Sequence, residues 1–266
     1  MASFSVVTNL ASVNAQSNLF STNIGLGQAL NRVSSGFRIN KSGDDAAGLA
    51  VANSFRSEVA VLNQGVRNAN DGLSNLQIKD GALDNISKLV DRLATLATQS
   101  ASSSASVDRA AIDTEFQDVL DEIDREASVA GLSAGGGFSV FVSNDGANGV
   151  ISGTIGAADA TTLGVGALAV DTAANAATAV STIKTAIGTL GSAQATVGTL
   201  QNRMQFAMTL AQSQIVNTKA AESRIRDANI AEESANLTRY SILTQSGIAA
   251  LAQANSSTGA VLALLR

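Results

Sequence analysis

The side chains best suited to chemistry are two adjacent aspartates, Asp44 and Asp45, which follow Arg38 and Lys41 in a stretch that also holds three glycines. A pair of carboxylates can act as general acid and general base in an enzyme. The same residue types also suit a connector, in which Gly36 ends one helix and either aspartate caps the next. We favour the connector, because the stretch interrupts a helical apolar pattern. Its candidate residues are Arg32, Gly36, Arg38, Asn40, Asp44 and Asp45.

The residue types that most enzymes require are absent. The chain has no His and no Cys, which excludes a His-based acid–base pair, a Cys nucleophile, a zinc site and a disulfide. Gly25–Gly27 and Gly164–Gly166 are only fragments of a phosphate-binding loop. Met204 and Met208, at helical spacing, fit an apolar seam better than a cofactor pocket. We therefore expect no enzymatic activity, no cofactor and no metal.

The charge of the chain argues against nucleic acid as a partner. Its formal net charge is −5, and it has no run of Lys or Arg and no basic patch with interleaved aromatic residues. Proteins that bind DNA or RNA need such patches to neutralise phosphates.

Both ends of the chain lack charge. Residues 1–31 and 241–265 contain none of the 17 Lys and Arg or 22 Asp and Glu. Apolar residues recur there at helical spacing, but polar ones interrupt them far short of the roughly 20 residues that a membrane span needs. Since the first positive side chain is Arg32, no cleavable secretory signal is predicted. The apolar residues need a partner surface, and we assign to this polymerisation core Phe4, Val7, Leu10, Val13, Phe20, Ile24, Leu237, Ile248, Leu251, Leu262 and Leu265.

Long helices are the main feature of the middle of the chain. There is no Pro, so helical periodicity can continue unbroken. Apolar residues over 59–83 alternate in steps of three and four, with Asp80 the one polar residue in the seam. This pattern predicts a coiled-coil helix over about 45–99. Helical spacing returns over 171–215 and predicts a second rod, antiparallel to the first.

A shorter helix and a small β insert are predicted between the rods. Asp108 caps this helix, which should end near Gly131. Ten of the 23 glycines fall within 131–166, where apolar residues alternate with small or polar ones over 138–142 and again over 150–155. This alternation predicts two or three short strands.

Together these elements predict a mainly α fold, in which long antiparallel helical rods form a coiled-coil bundle with a small β-hairpin insert. The terminal helices are predicted to form a coiled coil that polymerises. We predict a terminal helical polymerisation domain from residues 1–40 with 230–266. A rod domain is predicted from 41–130 with 131–229, including the insert at about 137–170, and no separate outer domain is expected.

Three segments resemble the sequence fingerprints of bacterial flagellins. The connector, within Leu30–Ala50, resembles the N-terminal fingerprint, and Ser223–Glu233 with the closing Val261–Leu265 is similar to the C-terminus. Gln201–Arg203 matches a third signature of the family. The resemblance covers practically the whole chain, and both terminal motifs stand in the family's order.

The resemblance implies a secreted structural subunit that self-assembles into the extracellular filament of the bacterial flagellum, the propeller for swimming. In flagellins the paired ends form an inner tube, and the rods form the layer around it. The family also implies type III export, and partners that comprise many copies of the chain, a filament cap, hook-junction proteins and an export chaperone. The chain resembles a short form without large outer variable domains. Its insert is similar to a hairpin that is thought to take part in switching between filament states.

An animal toll-like receptor recognises the rod surface of some flagellins. Arg92, Leu96 and Glu115 match residues of that surface and form a candidate innate-receptor site. Ala94 departs from the family pattern, in which an Arg is common. This departure favours a second interpretation, that the three residues pack against a neighbouring subunit.

Two other functions remain open from the sequence. A flagellin-like protein that joins hook to filament would have similar ends, but it would be made in few copies. A secreted coiled-coil effector would insert its charge-free ends into membranes, and its monomer would make vesicles leak. The short insert and the complete terminal motifs favour the filament subunit.

Overall fold

The computed structural model describes residues 8–103 and 108–263, with side chains throughout except at 147 and 257–263. Within these residues the chain forms five α-helices and a two-stranded antiparallel sheet. The elements are α1 (Leu10–Ser35), α2 (Ala46–Ala101), α3 (Arg109–Val129), β1 (Gly136–Phe141), β2 (Val150–Ile155), α4 (Ala173–Arg226) and α5 (Ile230–Ala263). The predicted fold class, mainly α with long helices and a small hairpin, is confirmed.

The chain divides into two compact units. The terminal unit joins the chain up to Ser57 to the chain from Thr218, and the central unit is Glu58–Asn217. Both boundaries fall inside a helix, α2 in the first case and α4 in the second. Among the described residues, the apolar side chains that are buried in the terminal unit are Ala29, Ile39 and Ala52, whereas one continuous hydrophobic core fills the central unit.

The predicted seam of α2 agrees with the structure in the central unit except at Asp80. Leu62, Ala69 and Leu76 are buried, and Val66 and Leu73 are partly buried and pack against the same core. Gly65 and Gly72 are buried beside them, and Lys79 is partly buried where Asp80 is predicted. The seam then runs in steps of three and four through Leu76, Leu83, Ile86, Val90, Leu93 and Ala97, all fully or almost fully buried. Asp80 is exposed, so its predicted place in the seam is wrong.

The hairpin explains why glycines occupy the inward positions. A Cβ at Gly72 would lie 2.7 Å from Val140 Cγ2, and one at Gly65 would overlap the backbone carbonyl of Val142. Only a residue without a side chain lets the hairpin approach the helix this closely. Asn68 Nδ2 also donates to the Phe141 carbonyl at 3.1 Å, which ties β1 to α2.

Lys79 takes a seam position because it completes the end of α3. Its ammonium donates to the carbonyls of Ala130 and Gly131 at 3.2 and 3.1 Å, and Gly131 adopts a left-handed φ of 65°. Carbonyls at a helix C-terminus lack partners within the helix, and a cation is favourable there. Burial of the ammonium lowers the pKa of Lys79.

The predicted hairpin and second rod are confirmed. β1 and β2 pair from Gly136 opposite Ile155 to Phe141 opposite Val150. Ser100, at the end of α2, donates through Oγ to the carbonyl of Val170, just before α4, whereas Gly72 faces Met204. α4 therefore runs antiparallel to α2 in the central unit.

The segment between β2 and α4 is attached to α3 by side-chain to backbone hydrogen bonds. The Asp113 and Asp124 carboxylates accept from the Val170 and Ala160 N–H groups, each at 2.7 Å. The N-cap predicted at Asp108 is also confirmed, since its carboxylate accepts from the Ala111 N–H at 3.2 Å.

Candidate assembly surface

The terminal helices α1 and α5 pair antiparallel. Asn9 Nδ2 donates to the Ala254 carbonyl at 2.8 Å near one end of the pair. At the other end, Arg32 Nη1 lies 3.1 Å from Glu233 Oε1. The contacting residues change in opposite directions along the two helices, as in an antiparallel coiled coil.

Small, polar and larger apolar side chains alternate in the contact between α1 and α5. The residues turned inward follow the coiled-coil steps of three and four. On α1 they are Ser12, Ala15, Leu19, Thr22, Leu26, Ala29 and Val33, and on α5 they are Glu233, Leu237, Tyr240, Thr244, Gly247, Leu251 and Ala254. The helices pack closely where glycine permits it, since a Cβ at Gly25 would lie 2.7 Å from the Tyr240 ring. Such a seam buries little apolar surface for its length.

Several large apolar side chains of both helices point away from this seam. On α1 they form a stripe in which Leu10 and Phe20 are each 68% exposed, and on α5 Ile242 is 60% and Ile248 56% exposed. Among the side chains that the structure describes, the exposed residues of this kind, which we call the open stripe, are Leu10, Val13, Phe20, Ile24, Leu30, Ile230, Ile242, Leu243 and Ile248. The pairing of α1 with α5 within the chain therefore leaves exposed the apolar residues whose helical spacing is clearest in the sequence.

The structure divides the predicted polymerisation core into three groups. Leu10, Val13, Phe20, Ile24 and Ile248 belong to the open stripe. Leu237 and Leu251 are half-buried in the seam between α1 and α5, a role that the sequence did not separate from the open stripe. Leu262 lies in α5 but its side chain is not described, and Phe4, Val7 and Leu265 lie outside the described residues. Sequence reasoning missed four residues of the open stripe. Leu30, Ile242 and Leu243 lie in the charge-free ends, whereas Ile230 lies among the charged residues just before the C-terminal one.

The connector between α1 and α2 is bonded to the short break between α4 and α5. Gly36 ends α1 in a left-handed conformation, φ 75°, as predicted. Beyond it, Phe37 forms a β-bridge with Asp227, the Arg38 N–H donates to the Arg226 carbonyl at 2.7 Å, and the Ala228 N–H donates to the Gly36 carbonyl at 2.9 Å. The break between α1 and α2 and the break between α4 and α5 therefore hold one another in place.

Both aspartates of the connector form hydrogen bonds with the backbone. Asp44 accepts from the N–H groups of Asn40 and Lys41, each at 3.0 Å, and Asp45 accepts from the Gly48 N–H at 2.9 Å as the cap of α2. The bonds from Lys41 and Asn40 hold the pKa of Asp44 below its ordinary 3.8. The arrangement supports the predicted connector, in which the carboxylates fix the turn.

Two contacts in the connector were not evident from the sequence. The guanidinium of Arg226 lies 4.2 Å from the centroid of the Phe37 ring, and Ile39 is 2% exposed. Neither belongs to a periodic apolar pattern, because the connector has no regular secondary structure. Their burial depends on the two breaks coming together, which no local signal encodes.

The candidate receptor residues do not form one exposed surface. Arg92 and Glu115 make an exposed ion pair between α2 and α3, with Arg92 Nε 3.0 Å from Glu115 Oε1. Leu96 is 1% exposed and lies in the core of the central unit. Its assignment to an outer surface is therefore wrong, because α2 turns this position inward.

The described residues show no arrangement suited to a metal site or to crossing a membrane. No group of three or more Asp or Glu side chains among them could hold a metal ion. None of the helices, as far as they are described, combines the length and the apolarity of a membrane span.

An all-helical terminal pair with an open apolar stripe, joined to helices with their own core, defines a structural protein of the helical bundle class. Two family comparisons agree with this class. The bacterial flagellin N-terminal helical region matches residues 6–133, and the bacterial flagellin C-terminal helical region matches residues 180–265. The chain belongs to the bacterial flagellin family.

Relatives of similar length match over nearly the whole chain. Flagellin FlaB1 of Treponema pallidum (strain Nichols) is 35% identical over 97% of this chain and 98% of its own. A flagellin of Halalkalibacterium halodurans and the flagellar filament 33 kDa core protein of Treponema phagedenis are each also 35% identical, with the same coverage of both chains.

Proposed function

We propose that this flagellin polymerises through the open stripe on α1 and α5. As a flagellin, the chain is a structural subunit of the flagellar filament. The observation that carries the proposal is the exposure of nine described large apolar side chains on α1 and α5, among them Leu10 and Phe20 at 68% each. Several large exposed apolar side chains concentrated on one helix pair are typical of interaction surfaces.

A second copy of the chain is the partner that fits the open stripe best. Asn, Gln, Ser and Thr dilute both charge-free ends, which suits protein–protein packing better than lipid. Identical subunits related by a repeated rotation and translation can each cover the stripe of a neighbour, and this heterologous contact produces a helical polymer.

The proposal assigns different roles to different parts of the chain. Residues 1–40 with 230–266 form the inner tube of the filament, and 41–130 with 131–229 form the surrounding rod layer. The chain is exported without cleavage of its N-terminus and assembles outside the cell beneath a cap, on hook-junction proteins, after release from an export chaperone. Its role is mechanical, with no catalytic step.

The exposed ion pair Arg92–Glu115 is assigned to subunit packing. Its side chains are about half exposed in the single chain, 52% and 47%. With Leu96 buried, only two of the three receptor-matching residues remain on the surface. Recognition by an animal receptor is therefore a secondary hypothesis.

The decisive experiment compares two isoleucines. Ile248, in the open stripe, is 56% exposed, and Ile78, in the central unit, is 65% exposed. We expect Ile248→Glu to stop growth of filaments from sheared filament seeds, because it places a charge in a contact between subunits. The matched Ile78→Glu should elongate seeds like the unmodified chain. Equal elongation by both variants, measured by light scattering and electron microscopy, would refute the proposed role of the open stripe.

A further inference from the structure

Positive and negative charge are separated along this chain. The terminal unit, residues 1–57 and 218–266, contains nine Lys and Arg but six Asp and Glu, a formal charge of +3. The central unit, residues 58–217, contains eight Lys and Arg but 16 Asp and Glu, a formal charge of −8. The overall charge of −5 conceals this division.

The negative charge is most concentrated on α3. Arg109–Val129 contains seven Asp and Glu but only two Arg. Five of these seven carboxylates already have partners: Asp113 and Asp124 accept from backbone N–H groups, and Glu115, Glu122 and Glu126 pair with arginines. Asp118 and Asp121, three residues apart on one exposed face, form no hydrogen bond or salt bridge within the described residues.

The charges of the terminal unit lie in a band that includes the connector. Because both ends are charge-free, every charge of this unit except that of Arg266 falls within residues 32–56 and 219–239, which contain eight Lys and Arg and six Asp and Glu, a formal charge of +2. Six exposed cations of this band form no salt bridge in the described part of the chain. They are Arg38 and Lys41 in the connector, Arg56 on α2, Lys219 and Arg224 on α4, and Arg239 on α5.

We propose that in the filament the basic band of one subunit contacts the acidic face of α3 of another subunit, with Asp118 and Asp121 as the acidic partners. This inference rests on the proposed polymerisation and adds a second, electrostatic contact to the apolar one. Copies with a net charge of −5 repel one another unless opposite charges meet at their interface. Because the charges are separated within the chain, the basic band of one copy can face the acidic face of α3 in its neighbour.

Such a contact determines which surfaces meet more than how strongly they bind. Exposed ion pairs contribute little each, but like charges placed opposite one another at an interface are strongly unfavourable. The band and the acidic face thus select one alignment of neighbouring subunits. The open stripe on α1 and α5 supplies most of the affinity within that alignment.

The test reverses the charge of each surface separately and then of both surfaces together. Asp118→Lys with Asp121→Lys reverses the acidic face, and Arg56→Glu with Lys219→Glu reverses part of the band. Each double variant should slow elongation of wild-type seeds by about tenfold. The quadruple variant, whose formal net charge returns to −5, should elongate seeds of the same quadruple variant at a rate within about threefold of wild type.

A matched control separates a specific contact from net charge. Asp71→Lys with Asp80→Lys makes the same change in charge on exposed, unpaired residues of α2 and should leave elongation unchanged. Equal slowing by this control, no slowing by either double variant, or no recovery in the quadruple variant would each overturn the inference. Wild-type chain that fails to elongate its own seeds would instead overturn the proposed polymerisation itself. Circular dichroism checks that every variant is folded.

Discussion

The central core and the terminal helix pair use the same coiled-coil spacing in opposite ways. In the central unit the inward positions of α2 carry large side chains such as Leu76 and Leu83, both 0% exposed. In the α1–α5 pair the inward positions are mostly small or polar, and Phe20 points outward with 68% of its surface exposed. The central unit buries its apolar surface within the chain. The α1–α5 pair leaves apolar surface exposed, where other copies of the chain can cover it.

Truncation tests this comparison most severely. Removing residues 241–266 deletes most of α5 and should abolish filament formation, because α1 loses its partner and part of the open stripe. The central core does not include these residues, so most of the helical circular dichroism should remain. A truncated chain that still forms filaments, seen by electron microscopy, would contradict the assigned role of the ends.

Two leucines compare the regions by stability. Leu83→Ala empties a fully buried site and should lower the free energy of unfolding by about 2–5 kcal/mol. Leu19→Ala, in the half-buried seam of the terminal pair, should cost about 1 kcal/mol, since only part of its surface leaves water. Urea unfolding followed by circular dichroism measures both. Similar losses for the two variants would mean that the terminal pair is as well packed as the core.

Two glycines of α2 test how closely the hairpin approaches the central core. Gly65→Ala places a methyl group against the Val142 carbonyl and should destabilise the chain by about 1–3 kcal/mol. Gly81→Ala, where no atom lies within 4 Å of the new methyl group, should stabilise it by roughly 0.5–1 kcal/mol through helix propensity. Thermal unfolding measures whether each variant is more or less stable than wild type. Stabilisation by Gly65→Ala would show that the hairpin is free to move away.

Acid should weaken the terminal unit through Asp44. Backbone hydrogen bonds hold its pKa in the folded chain below the ordinary 3.8, so the unfolded chain binds the proton more readily. The stabilisation is fully present above the unfolded pKa of 3.8 and is lost as pH falls through the lower folded pKa. We expect the stability difference between wild type and Asp44→Asn, measured by urea unfolding, to shrink over that window. A difference that stays constant from pH 7 to pH 3 would exclude this role for Asp44.

The predictions that succeeded from sequence depended on local patterns. Steps of three and four gave α2 and α4, alternation gave the hairpin, and Asp108 and Gly36 gave helix ends, because caps and periodicity act over a few residues. The prediction for Asp80 failed because two neighbouring residues on a helix compete for the inward position. Contacts distant in the chain decided the positions: the hairpin approaches Gly65 and Gly72, and Lys79 donates to the carbonyls at the end of α3, 51 and 52 residues away.

The candidate assembly surface was predictable in position but not in orientation. The absence of charge identified both ends and the apolar spacing identified Leu10, Phe20 and Ile248. Spacing alone could not tell which apolar residues α1 and α5 turn towards each other, so Leu237 and Leu251 were grouped with residues of the open stripe. Leu96 was placed on an outer surface by the resemblance to flagellins and not by spacing, and in the single chain it is buried.

The sequence by itself determined that the chain is helical, that its two ends are charge-free, and that His and Cys chemistry is excluded, because composition and periodicity depend only on the order of residues. Only the tertiary structure decided which residues of α1 and α5 face each other, and that the two helix breaks are joined at Phe37 and Asp227. Which face of a helix is buried depends on the partner that reaches it. That partner lies some 200 residues away for Arg32, beyond the range of any local signal.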